Sequence, residues 1–326
     1  MKFLDLFAGI GGFRLGMESA GHECVGFCEI DKFARISYKA IHDTEGEIEL
    51  HDITAVSDES IRRIGSADII CGGFPCQAFS IAGNRRGFED TRGTLFFEIA
   101  RFASILRPKY LFLENVKGLL NHDGGATFEA ILGALDELGY NVEWQVLNSK
   151  NFGVPQNRER VFIIGHLRGE RTRRIFPFES GVAEIDSLPQ QSTNTLTARY
   201  GAAQSNGSYI IESEQKKIRI KEATSQGYAE AEVGDSVNLS HPNSKTRRGR
   251  VGKQIANTLL TGESQGVVEP DFRIRKLTPR ECWRLQGFPD WAFDKAQEVN
   301  SNSQLYKQAG NSVTVNVIAA IAKELK

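Results

Sequence analysis

The 326-residue chain carries 40 Lys and Arg against 41 Asp and Glu, a net charge of −1, with 40% hydrophobic and 25% charged residues. That length suits one large domain, or a large domain with a smaller companion. No apolar run approaches the ~20 residues a membrane-spanning helix needs; the charge balance lacks the basic excess that would by itself signal nucleic acid; and "MKFLDLFAG" runs straight into a strand pattern without a signal-peptide n-region, so a cytoplasmic protein with no membrane partner is expected.

In chain order, "KFLDLF" (2–7) is a short apolar strand ending at a glycine cluster, and "FRLGMESAG" reads as a helix stopped by Gly21. "ECVGFCEI" (23–30) is a second strand, and "DKFARISYKAIH" a helix with Asp31 as N-cap. A possible third strand ends near Asp52. Further strands are read at 67–74, 109–115, 141–149 and 160–167, with helices near 93–106 and 125–138. Strands spaced by helices of this length predict an α/β fold with a mostly parallel, doubly wound sheet, whose ligands sit at the carboxyl ends of the strands.

The texture changes near residue 170. From there to 270 the chain is rich in Gly, Ser, Thr, Asn and Gln, with short β-like pieces such as "GSYIIE" and "KIRIKE" and a weak echo between 194–212 and 256–270. A smaller β-rich domain over 171–270 is expected. "LTPRECWRLQGFPD" restores a helical pattern, with Thr278 as N-cap, Pro279 at the first helical position and Glu281 completing a capping box. "SVTVNVIAAIAKELK" reads as a last helix whose apolar stripe must pack on the first domain. The larger domain is therefore expected to span 1–170 and to be completed by 271–326, with the smaller one inserted.

The glycine-rich turn in "DLFAGIGGF" (5–13) follows the first strand, where backbone can approach a ligand closely. A dinucleotide fingerprint would require glycine at position 14, which is Arg14, and this disfavours an NAD oxidoreductase. Glu29 ends the second strand, at the place where a carboxylate commonly holds ribose hydroxyls, and Asp52 follows. These residues describe a nucleoside pocket without a pyrophosphate cradle, which suits S-adenosylmethionine. They also read as ordinary turn and cap residues.

The five cysteines are Cys24, Cys28, Cys71, Cys76 and Cys282. Their odd number and spacing favour neither disulfides nor zinc, and three of them lie in apolar strand-like runs. Cys76 differs: it stands in "GGFPCQ", at a strand end beside glycines and a rigid proline. "ENV" puts Glu114 at the next strand end, a general acid if desolvation raises its pKa. "QNRER" brings Arg158 and Arg160 toward the same edge, where positive charge would lower a thiol pKa. Each has a plainer reading, as core, cap or surface ion pair; it is the shared edge that favours chemistry.

In series, "DLFAGIGGF", Glu29, Asp52, "GGFPCQAFS", "RGTLFFEI", "ENV", "QNRERVFIIG", "RKLTPRECWRLQGFPD" and "YKQAGNSVTVNV" resemble the C5-cytosine DNA methyltransferases, in family order and nearly end to end. The compact bacterial or phage restriction–modification type is the nearest in form. The resemblance implies a Rossmann-like, S-adenosylmethionine-dependent catalytic domain and a target-recognition domain in the variable stretch. It implies that Cys76 adds to carbon 6 of a flipped-out cytosine, that Glu114 holds its N3, that Arg160 contacts O2 and that Arg158 supports the loop. It places Phe7, Gly9, Gly11, Glu29, Asp52, Ile53, Pro75, Leu95, Asn311 and Val313 around S-adenosyl-L-methionine. The segment from Gln77 would be a mobile loop hinged at Gly83, Gly87 and Gly93, with Gln77, Ser80, Arg85, Arg86 and Arg92 facing DNA.

"SKTRRGRVGK" (244–253) holds five basic residues and no acid. By composition it is a solvated basic loop; in a recognition domain it becomes a DNA contact, with Arg247, Arg248 or Arg250 reading the target beside loops near 197–206 and 261–266. Double-stranded DNA is the expected partner. The family also implies a monomer, and allows a cognate restriction endonuclease acting on the same site with no stable complex. Relatives that act on transfer RNA carry a second Cys-Phe-Thr motif, whereas no cysteine lies between Cys76 and Cys282 here. A non-catalytic relative would tend to have lost the thiol or the acid, and both are present.

Overall fold

The computed structural model describes residues 1–75, 95–178, 217–241, 244–262 and 264–326. A seven-stranded sheet forms its centre, from β1 (Lys2–Leu6), β2 (Glu23–Cys28), β3 (Ile48–Leu50), β4 (Ile69–Gly73), β5 (Tyr110–Val116), β6 (Tyr140–Asn148) and β7 (Glu159–Leu167), in the order β3-β2-β1-β4-β5-β7-β6. The first five strands run parallel, and β7 is antiparallel to both β5 and β6. The order reverses beside β1, which has β2 on one side and β4 on the other; at such a switch point adjacent crossovers leave on opposite faces and a crevice opens.

Alternation along the strands builds three layers. Leu4, Leu6, Ile70, Leu111 and Leu113 face a core shared with α4 (Leu95–Leu106) and α5 (Ala126–Glu137), alongside α3 (Asp58–Arg63). Phe3, Ile69, Cys71, Phe112 and Ile164 face the other side, against α1 (Gly12–Ser19) and the last helix, α9 (Val315–Ala322). Burying each such side chain stabilises the fold by about 1.5–3 kcal/mol. A Cβ at Gly16 of α1 would lie 2.6 Å from Ile318 Cβ, so only glycine lets α9 come this close. The C-terminal stripe thus packs on the first half of the chain.

The remaining helices are α2 (Lys32–Ile41), α6 (Pro279–Leu285), α7 (Asp290–Val299) and α8 (Asn302–Asn311). Asp31 caps α2 by accepting from Phe33 N and Ala34 N, and Thr278 and Glu281 form the capping box of α6. Trp283 of α6 is fully buried and donates from Nε1 to Leu305 O at 3.0 Å, fastening α6 to α8.

The variable stretch forms two small sheets. The hairpin β8 (Ile218–Lys221) and β9 (Tyr228–Ala231) is one; β10 (Ser236–Asn238), β11 (Val251–Gly252), β12 (Gln265–Val268) and β13 (Ile274–Lys276) form the other, antiparallel in the order β11-β10-β12-β13. The two share a core of Ile220, Ala231, Val237 and Val268. Residues 256–259 run beside the loop before β7: Asn157 N donates to Ala256 O and Leu259 N to Gln156 Oε1. Among the described residues no helix is long and apolar enough to cross a membrane.

Candidate active site

At the carboxyl ends of β1, β2, β4 and β5 lies a cavity of about 410 Å³. Its walls include Phe7, Gly9 and Glu29 at one end, Pro75, Glu114, Arg158 and Arg160 at the other, and Asn311 from the C-terminal segment. The antiparallel insertion of β7 explains the arginines. Because β7 runs against β5, its beginning lies at the carboxyl end of the parallel strands, and Arg160 pairs with Val116.

Glu29 is held by two backbone donors, Gly9 N on Oε2 at 2.8 Å and Asp31 N on Oε1 at 2.7 Å. Burial raises its pKa, and those hydrogen bonds pull the other way. Each oxygen retains a lone pair for a hydroxyl donor. Gly9 has φ +57°, and a Cβ there would meet nothing within 4 Å, so the turn is open on that side. A half-buried carboxylate beside an open glycine turn fits the ribose hydroxyls of S-adenosylmethionine.

Gly11 belongs to the same turn but acts from behind it. Its φ is +84°, and a Cβ would sit 2.0 Å from His42 Nε2. The cavity wall does not include Gly11, Asp52, Ile53, Leu95 or Val313. Asp52 Oδ1 instead accepts from Thr54 N at 3.0 Å and Thr54 Oγ1 at 2.7 Å, capping a short turn, and these bonds hold its carboxyl below the usual range. Ile53 is core. Arg14 is buried, with its guanidinium bound to Glu18, Glu47 and Asp43 O.

At the other end Glu114 is buried, and Arg160 Nε lies 3.0 Å from its Oε1. Burial raises the Glu114 pKa, against the opposing charges of Arg160 and Arg158. Arg158 donates to Ser312 O at 2.8 Å, Gly310 O at 3.2 Å and Leu259 O at 3.4 Å, so one buried guanidinium ties three segments together. Asn115 donates from Nδ2 to Phe74 O at 2.8 Å, which with the Gly73–Glu114 register fixes the chain at Pro75 against Glu114. Cys76 follows at once in sequence. It lies outside the described residues, as do Gln77, Ser80, Gly83, Arg85, Arg86, Gly87, Arg92, Gly93 and the 194–212 stretch.

Two charged wall residues escaped the sequence reading as site residues. Lys307 lies inside the "YKQAGNSV" run without having been singled out, and Asp31 was read only as a cap. In the small sheets Arg248 is exposed and Arg247 half-buried, but Arg250 is turned inward. Its guanidinium donates to Asn238 O at 2.9 and 3.0 Å and to Lys221 O at 3.0 Å. Arg250 is thus engaged in its own fold rather than directed outward as a base reader.

The model of the C-5 cytosine-specific DNA methylase family matches residues 1–326. Type II methyltransferase M.HhaI of Haemophilus parahaemolyticus is 38% identical over 99% of this chain and 93% of its own length. Type II methyltransferase M.HpaII of Haemophilus parainfluenzae is 39% identical over 99% of this chain and 88% of its own. Among solved structures, a putative DNA modification methyltransferase encoded within an E. coli prophage superposes with TM-score 0.62 at 20% identity, covering 99% of this chain and 98% of that one; its likeness speaks to the fold alone. The chain therefore belongs to the C-5 cytosine-specific DNA methylases: it is a DNA cytosine-5 methyltransferase whose methyl donor is S-adenosylmethionine.

Proposed function

We propose that the two ends of the cavity divide the work, with Glu29, Gly9, Phe7 and Asn311 holding the cofactor and Cys76, Glu114, Arg158 and Arg160 holding and activating cytosine. The observation that carries this reading is the Glu114–Arg160 pair, fixed by strand register beside Pro75 and on one cavity with Glu29. Carbon 5 of cytosine is a weak nucleophile. The Cys76 thiolate adds to carbon 6, the displaced electron pair makes carbon 5 an enamine carbon, and Glu114 stabilises the charge gathering at N3 by donating a proton or hydrogen bond. Arg160 binds O2, while Arg158 keeps the loop in place through its three carbonyl partners. When bound, S-adenosylmethionine supplies the methyl group that carbon 5 takes. Loss of the carbon 5 proton then returns the pair to the ring and expels the thiolate.

A thiol cannot reach carbon 6 inside a stacked duplex, so the base is flipped out, at a cost of a few kcal/mol. The loop from Gln77 to Gly93, with Ser80, Arg85 and Arg92, closes on the DNA. Residues 171–270 form the target-recognition domain, with Arg247 and Arg248 at the DNA. The enzyme acts as a monomer in the cytoplasm and is the modification member of a restriction–modification pair, a role supported by relatives named as Type II methyltransferases.

Incubation with duplex DNA containing 5-fluorocytosine and S-adenosylmethionine tests the covalent route, because fluorine at carbon 5 blocks the final elimination. A protein–DNA adduct that survives denaturation is expected. A preparation that methylates ordinary DNA but yields no such adduct would overturn the role of Cys76.

A further inference from the structure

Lys307 Nζ lies 2.6 Å from Asp31 Oδ2, and both residues are in the cavity wall although 276 positions separate them. Asp31 has three tasks. Its backbone N–H orients Glu29 through Oε1, and its Oδ1 caps α2 at Phe33 N and Ala34 N, at 2.8 and 3.1 Å. Its Oδ2 takes Lys307. Lys307 stands on α8, whose last residue is Asn311, also in the wall. Deeper in the same seam, Gln308 accepts from Ser37 Oγ at 3.1 Å and donates to Phe33 O at 3.2 Å. Gln308 thus holds the bodies of α2 and α8 together, and the Asp31–Lys307 pair closes the seam at the cavity mouth.

We propose that the Asp31–Lys307 ion pair is a positioning strut for the cofactor, fixing the Glu29 turn against α8 and so setting how tightly the adenosine half of S-adenosylmethionine is held. The inference rests on the reading of the Glu29 end as the cofactor site. Neither side chain need touch the ligand. The pair is partly exposed, with side chains 45% and 28% accessible, so its leverage is bounded by what such pairs contribute.

Lys307→Met and Asp31→Asn break the pair separately, and Asn preserves the helix cap. Dissociation constants for S-adenosylmethionine and S-adenosylhomocysteine, measured by calorimetry, should rise about three- to fivefold in both variants, by the same factor for both ligands. The double variant should be no weaker than either single one, Lys307→Arg should restore most of the affinity, and kcat at saturating cofactor should stay within about twofold. Weakening by Lys307→Met alone would mean that Lys307 contacts the ligand directly, which overturns the strut; so would additive losses, or unchanged affinity in both. Glu29→Gln separates the two layers of the argument. If it too leaves affinity unchanged, the placement of the cofactor has failed; if it weakens binding while the pair variants do not, only the strut has.

Discussion

Arg160 Nε sits 3.0 Å from Glu114 Oε1, yet the Glu114 carboxyl stays above its ordinary pKa because burial outweighs both arginines. That balance shifts Glu114 toward its acid form, the form that donates to N3. As pH rises through the elevated pKa, the acid form is lost, so kcat/KM should fall on that limb. Glu114→Gln should lower kcat by roughly 10²–10⁴ and remove the limb from the residual activity. A variant that keeps the limb would show that another group titrates there.

Gly11 and His42 make a second prediction. The glycine has φ +84°, which costs an L-residue about 1–2 kcal/mol, and an added Cβ would collide with the His42 ring. Gly11→Ala should therefore lower the thermal midpoint and raise KM for S-adenosylmethionine by about tenfold or more, since Gly9 and Ile10 of the same turn line the cavity. Gly11→Ala combined with His42→Ala should recover stability only in part, because the backbone strain remains. Full recovery in thermal denaturation would assign the whole effect to the ring.

Much of this site was legible because its signals are local. Short apolar runs gave β1, β2, β4 and β5 their places, and the strand ends gave Glu29 and Glu114 theirs. The capping box at Thr278 and Glu281 is a four-residue pattern and formed as read. What the chain does not write locally was harder to see. β7 enters between β5 and β6 in the opposite sense, a consequence of long-range pairing. Arg248 and Arg250 look alike in "TRRGR", but only the latter meets Asn238 O and Lys221 O, contributed by strands 12 and 29 residues away.

His42 gives a pH dependence of stability. Burial, with Arg14 nearby, pulls its pKa from the usual 6.5 down to about 3. The unfolded chain therefore binds a proton that the folded one refuses between these values. Stability from this group is complete above pH ~6.5 and is lost as pH falls toward ~3, at up to ~1.4 kcal/mol per pH unit. Chemical denaturation of wild type and His42→Phe at several pH values should give a difference that shrinks on acidification through this window and is constant above it. A difference independent of pH would show that the imidazole titrates freely in the fold.

The two arginines of the basic loop should separate cleanly. Arg248 is exposed, and its Nε has a single carbonyl partner, Ala223 O at 2.8 Å, so Arg248→Ala should leave the thermal midpoint nearly unchanged. If it lies at the DNA, its loss should weaken duplex binding and reduce the slope of log affinity against log salt by about one contact. Arg250 is buried beneath the same loop, and Glu222 Oε1 accepts from its backbone N at 2.5 Å. Arg250→Ala would leave the Asn238 and Lys221 carbonyls without this donor and should destabilise the small sheets by about 3 kcal/mol. Its DNA-binding defect should then follow the fraction unfolded and vanish when binding is measured at a temperature where the variant is fully folded. A binding defect in fully folded Arg250→Ala would return this residue to the set that reads DNA.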